Sequence, residues 1–176
     1  ASSICGYLDL ADYHKFELIF NYTEDYVEIC RSLDNTGLYC KSWGDPDLYK
    51  IGAKAYLDKL IESMDKIVAK NDTEKVELNF SHDISTAIIL AGFGYITKVN
   101  PPLASTLFVE LHSDEDGYYV VTEYNGENIT FGLCTEEKCR YETFKENVRQ
   151  RTYPGTIQEV CFRKETKSII EKLLHA

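Results

Sequence analysis

Between residues 48 and 70, the apolar residues Ile51, Ala55, Leu57, Leu60, Ile61, Met64, Ile67 and Val68 recur among charged ones with helical spacing. The pattern predicts a long amphipathic helix with one buried face, and a face of that length needs a second layer to pack on. Asn71-Asp72 is expected to end it. Val76-Glu77-Leu78-Asn79-Phe80 then alternates with period two, which predicts a short strand. Residues 84–94 are apolar nearly all round and predict a buried helix closed by Gly92 and Gly94. Residues 106–111 and 117–124 read as two strands joined through Ser113-Asp114-Glu115-Asp116-Gly117, and Asn125-Gly126-Glu127-Asn128 as a second turn into Ile129-Thr130-Phe131. Helical rhythm is also present over residues 10–26, 141–149 and 166–174, with a turn-rich loop over residues 30–47. Helices on a mixed sheet make the expected class α/β.

With 176 residues and 44% hydrophobic content, the chain can bury a core, and disorder, collagen and coiled coil are excluded. No stretch reaches the roughly 20 uninterrupted apolar residues of a membrane span. Twenty-nine acids against 19 Lys plus Arg leave a net charge of −10, which argues against nucleic acid as a partner. Ala1-Ser2-Ser3 opens directly onto folded-looking sequence, so the expectation is that any leader has been removed.

Cys5, Cys30, Cys40, Cys134, Cys139 and Cys161 make an even count, with no CxxC spacing and no neighbouring histidine to suggest zinc. Neither a metal nor a cofactor is called for. Four residues separate Cys134 from Cys139, close enough for a bridge across one tight loop. Cys30 with Cys40 is a second candidate pair, and Cys161 is left to Cys5 or to a cysteine outside this chain. Sequons stand at Asn21, Asn71, Asn79 and Asn128. Together with paired cysteines they point to a secreted or lysosomal glycoprotein, against the alternative of buried free thiols in a reducing compartment. Asn71 and Asn128 are expected to be accessible and Asn21 intermediate. Asn79 is expected to be empty, because it lies in a strand expected to be covered.

Ser81-His82-Asp83 falls where the expected strand hands over to the expected buried helix, and open α/β sheets bind ligands beyond the C-terminal ends of their strands. Asp83 is there either a helix cap or a group that exchanges a proton with substrate. His82 is either a histidine bonded to a carbonyl or an anion contact.

Phe80-Ser81-His82-Asp83, then Pro101-Pro102-Leu103-Ala104-Ser105, then Phe108-Val109-Glu110-Leu111 form an ordered series that resembles the C-terminal half of the histidine acid phosphatases. Gly117-Tyr118-Tyr119-Val120-Val121 and Tyr124-Asn125-Gly126 continue it. The loop from Cys134 to Cys139 is similar to a short disulfide loop of the animal members, and Phe144 and Cys161 fit the closing segment. Cys5, the region 13–26 and Leu48-Tyr49 are looser echoes of the helical cap. The resemblance implies the C-terminal part of a mixed-sheet histidine-phosphatase fold. Residues 1–70 would form a cap-like helical segment with the long helix, and residues 71–176 the C-terminal part of the core.

In that family a histidine attacks a phosphate monoester to give a phosphohistidine. The resemblance makes Asp83 the proton donor to the leaving oxygen and His82 a hydrogen-bond donor to the phosphate. Glu110 matches a recurrent glutamate read as structural. The nucleophile motif Arg-His-Gly-x-Arg-x-Pro is absent: none of Arg31, Arg140, Arg149, Arg151 and Arg163 precedes a histidine. His14, His112 and His175 lack the glycine-rich setting of a phosphate cradle. Ile84 also stands where a small hydroxyl residue usually follows the Asp. The implied reading is the proton-donor half of an acid phosphatase, inert and poorly soluble alone. A complementary N-terminal polypeptide carrying Arg-His-Gly would complete it, and a homodimer is compatible with the sequence. The alternative is a non-catalytic relative acting as a binding or structural protein.

Overall fold

The computed structural model describes residues 2–17, 23–70, 73–136, 138–156 and 158–159. Helices α1 (Ser2–His14) and α2 (Glu24–Leu38) come first, and α2 runs on into a π-helical turn, Tyr39–Trp43. Next come α3 (Pro46–Val68), α4 (Asp83–Gly92), the strands β1 (Leu107–Asp114) and β2 (Gly117–Tyr124), the short strands β3 (Glu127–Asn128) and β4 (Cys139–Arg140), and α5 (Tyr141–Gln150). Helices with a small antiparallel sheet make a mixed α/β structure.

The long helix starts where its sequence allows. Asp45 caps it by accepting the Asp47 N–H at 2.8 Å, and Pro46 occupies the first turn, where no N–H is needed. Tyr49, Ala53, Leu57, Ile61 and Met64 form its buried seam. Small residues bring α4 close: a side chain added at Gly92 would meet Leu57 and Ala53. Helix α4 ends in a Schellman turn, with the Tyr95 N–H on the Leu90 carbonyl and the Gly94 N–H on that of Ala91, both at 2.9 Å. Gly94 has a φ of +84°, and a Cβ there would press on the Gly132 carbonyl oxygen. Only glycine meets both conditions.

β1 and β2 pair antiparallel from Leu107↔Tyr124 to Asp114↔Gly117, so the expected hairpin forms with a tighter turn than its sequence suggested. The Asn125-Gly126 turn brings β3 back onto β2, and β4 pairs with β2 as well. β2 is therefore central, with Val120, Thr122 and Tyr124 buried on one face. Phe93, Val120, Tyr141, Phe144 and Val148 join the α3 seam in the main core. The Cys134–Cys139 bridge is present, with Cα atoms 5.6 Å apart.

Five expectations are corrected. Residues 76–80 form no strand: among the described residues they pair with no element of the sheet, and Val76, Leu78 and Phe80 are 69%, 75% and 95% exposed. Alternation specifies which side chains share a face, but a strand exists only where a neighbour accepts its hydrogen bonds. Asn79 is consequently exposed, and the reason for an empty sequon there is gone.

The helix expected over residues 10–26 is interrupted after His14, where Lys15 takes a φ of +56°. The loop expected over residues 30–47 is instead the later part of α2, its π turn and the start of α3, with a bend at residues 44–45 alone between them. Tertiary ties override the weak local propensity of Asn35 and Gly37: the Asn35 side chain accepts the Asn100 N–H at 2.8 Å, and Cys30 is bonded to Cys5, Cα atoms 4.7 Å apart. Cys40 is thus an exposed thiol and not the partner of Cys30. Asn128 is exposed as expected. Asn21, Asn71, Cys161, His175 and the helix expected over residues 166–174 lie outside the described residues.

Candidate functional site

His82 and Asp83 sit side by side at the start of α4. His82 is the N-cap, with extended backbone, and its carbonyl accepts the Thr86 N–H at 2.9 Å and the Thr86 hydroxyl at 3.0 Å. Its imidazole makes no capping bond. Asp83 is the first helical residue, and its Oδ1 accepts the Ile84 N–H at 2.8 Å. Both residues are exposed. A carboxylate in the first helical turn lies in the favourable end of the helix dipole. His82 occupies the N-cap position without a side-chain bond, and it is the Asp83 carboxylate that satisfies a first-turn N–H.

The helix that carries the pair is firmly seated. Ala87, Leu90, Ala91 and Gly92 are buried, and Ala87 and Ala91 pack against Trp43 and Tyr49. Trp43 is fully buried, and its indole N–H donates to the Thr97 carbonyl at 2.6 Å. A rigid helix therefore presents an open, solvated His-Asp end.

Residues downstream in the same series are knitted together by hydrogen bonds. The Ser105 hydroxyl donates to the Pro102 carbonyl at 2.6 Å and lies 3.3 Å from the Tyr124 hydroxyl. The Asn125 side chain accepts the Thr106 N–H at 2.8 Å. These contacts fasten the Pro-Pro turn to the end of β2 and do not reach His82 or Asp83. Glu110 is exposed on β1 and pairs with His112 at 3.0 Å, not with an arginine. His112 stacks on Tyr119 across the strand pair, at 5.2 Å between ring centres.

Sequence reasoning missed a polar cluster between α3 and α5. Asp65 accepts the Tyr141 hydroxyl and the Lys145 ammonium, each at 2.9 Å. Burial works to raise the Asp65 carboxyl, but the bonds from Lys145 and Tyr141 together hold it below the ordinary range. Burial, then the bond to Asp65, pushes the Tyr141 hydroxyl well above its ordinary value. Asp58, Glu62, Lys66 and Arg149 continue this flank as the wall of an open groove of about 420 Å³. A second groove of about 370 Å³ lies by Tyr118, Arg140 and Glu142. Neither groove is lined by His82 or Asp83. Seventy-six positions separate Tyr141 from Asp65, and no local pattern marks such a pair. Among the described residues, no three His, Cys, Asp or Glu side chains gather as a metal site.

No family profile matches the chain. Over 111 residues, 62% of its length, the chain is 28% identical to Counting factor 60 of Dictyostelium discoideum. The match spans 26% of that protein, so the chain corresponds to about a quarter of the relative.

Proposed function

We propose that this chain is the proton-donor half of a histidine acid phosphatase acting on phosphate monoesters. The observation that carries the reading is the exposed His82-Asp83 pair at the head of a rigidly seated helix, within the ordered series that resembles the family. A helix N-terminus favours an anion such as phosphate. A histidine on a complementary polypeptide attacks phosphorus, forming the P–N bond while the P–O bond to the alcohol breaks. Asp83, in its acid form, hands its proton to the departing oxygen, and His82 donates a hydrogen bond to a phosphate oxygen. The two disulfides fit an oxidising, secretory-route compartment, and no described helix is long and apolar enough to cross a membrane.

The test is a phosphate-monoester assay at acid pH on the full chain, alone and with the Arg-His-Gly polypeptide. The chain alone is expected to be inert and the pair active. Asp83→Asn should lower kcat by about 10²–10⁴ for alkyl phosphates and by less for activated aryl phosphates, which leave without a proton. Turnover by the single chain with Asp83 replaced would defeat the assignment.

A second reading, a non-catalytic binding or structural protein, is favoured by one observation: the two grooves are walled by other residues, and His82 and Asp83 lie on an open, exposed helix end. A complex that forms and stays inert toward every monoester would select it.

A further inference from the structure

Helix α2 carries an apolar stripe that faces out. Tyr26, Ile29 and Leu33, at helical spacing, are 61%, 55% and 59% exposed. The stripe cannot roll inward. Val27 and Cys30 hold the inner face, Cys30 is bonded to Cys5 of α1, and Arg31 is ion-paired with Asp12 of α1 at 2.9 Å. Three exposed carboxylates, Glu24, Asp25 and Glu28, run beside the stripe. The helix dipole favours Glu24 and Asp25 in the first turn, but Glu28 lies beyond it. Among the described residues no ion pair takes up any of the three. Seven acids against Lys15 and Arg31 give residues 1–38 a net charge of −5, half of the chain's −10 in about a fifth of its length.

The last residues of the sequence have the opposite character. Ile169, Ile170, Leu173 and Leu174 recur at i, i+1, i+4 and i+5, the spacing of one helix face. Arg163, Lys164, Lys167 and Lys172 against Glu165 and Glu171 make residues 160–176 net +2, in a chain that is acidic as a whole. From this we infer that the α2 stripe is the docking surface for residues 166–174 of the same chain. They would bind it as an amphipathic helix, with the apolar face on Tyr26, Ile29 and Leu33 and the basic side chains toward Glu24, Asp25 and Glu28. The distances allow this. The Tyr153 N–H donates to the Lys50 carbonyl at 3.1 Å, in the first turns of α3, and α3 follows closely on the π turn that extends α2. Seven positions separate Glu159 from Thr166, a reach of up to about 24 Å. The 15 residues of α2 span about 22 Å. A second copy of α2 suits the stripe poorly, because it would set carboxylates against carboxylates, and an anionic lipid surface meets the same repulsion. Docking of this segment does not depend on the phosphatase reading.

The experiment is hydrogen–deuterium exchange on the full disulfide-bonded chain, with carbodiimide cross-linking of lysines to carboxylates. Amides of residues 166–174 are expected to exchange at least about tenfold more slowly than an unstructured chain, at a rate independent of protein concentration. Ile29→Asp, on an exposed side chain, should return them to the fast rate while amides of α3 keep their protection. The pair Glu24→Lys and Glu28→Lys, which leaves every apolar side chain in place, should speed the same amides. Cross-links should join Lys164, Lys167 or Lys172 to Glu24, Asp25 or Glu28 within one chain. Fast exchange of residues 166–174 in the unmodified chain overturns the docking. So does slow exchange that neither variant changes, because the segment then rests on another surface. Protection that grows with protein concentration, with cross-links only between chains, makes the occupant a second copy and overturns the intramolecular contact. None of these outcomes touches the phosphatase assignment, which the monoester assay decides separately.

Discussion

The Tyr141 hydroxyl donates to the Asp65 carboxylate at 2.9 Å and reaches the Ile61 carbonyl at 3.2 Å, fastening the first residue of α5 to the C-terminal third of α3. Tyr141 is buried, while the carboxylate it meets is partly open to water. Lys145, one turn further along α5, reaches the same carboxylate.

Tyr141→Phe keeps the ring and deletes that donor. It should destabilise the chain by about 1–2 kcal/mol, lowering the midpoint of thermal unfolding by a few degrees. The fluorescence of Trp43, the only tryptophan and fully buried, follows the transition. An unchanged midpoint would mean the bond contributes nothing net.

The same cluster sets a pH dependence. The folded Asp65 carboxyl lies below its unfolded value of about 3.9, so its contribution is complete above about pH 4 and disappears as pH falls through the lower folded value. Stability measured from pH 6 to pH 2 should lose this contribution only at the acid end. Asp65→Asn should flatten that part of the curve, and a loss centred near pH 6 would contradict the assignment.

Two glycines should behave in opposite ways. Gly94→Ala forces a side chain into a positive-φ site against the Gly132 carbonyl and should cost about 1–3 kcal/mol. At Gly37, inside α2, an added Cβ meets nothing within 4 Å, and Gly37→Ala should stabilise by about 0.5–1 kcal/mol. Urea midpoints of the two variants test both signs together.

Alkylation without reduction should modify Cys40 and leave Cys5, Cys30, Cys134 and Cys139 untouched, as read by peptide mapping. Replacing Cys5 and Cys30 by serine should cost about 2–4 kcal/mol, since their bond closes a loop of 25 positions. A Cys40 that resists alkylation until reduction would show it bonded elsewhere.

What the sequence determined by itself was local. The long helix could be read from residue spacing, the β1–β2 hairpin from alternation and turn residues, and the Cys134–Cys139 bridge from a gap too short to leave the two cysteines far apart. The start of a helix at His82-Asp83 was legible for the same reason, because hydrophobic density begins at Ile84. The tertiary structure decided everything that needs a distant partner. It joined Cys5 to Cys30, carried α2 through Asn35 and Gly37, tied Tyr141 to Asp65, and left residues 76–80 with strand pattern but no strand. Periodicity fixes which side chains share a face at no cost in chain entropy, whereas pairing across tens of residues depends on which surfaces meet once the core has packed.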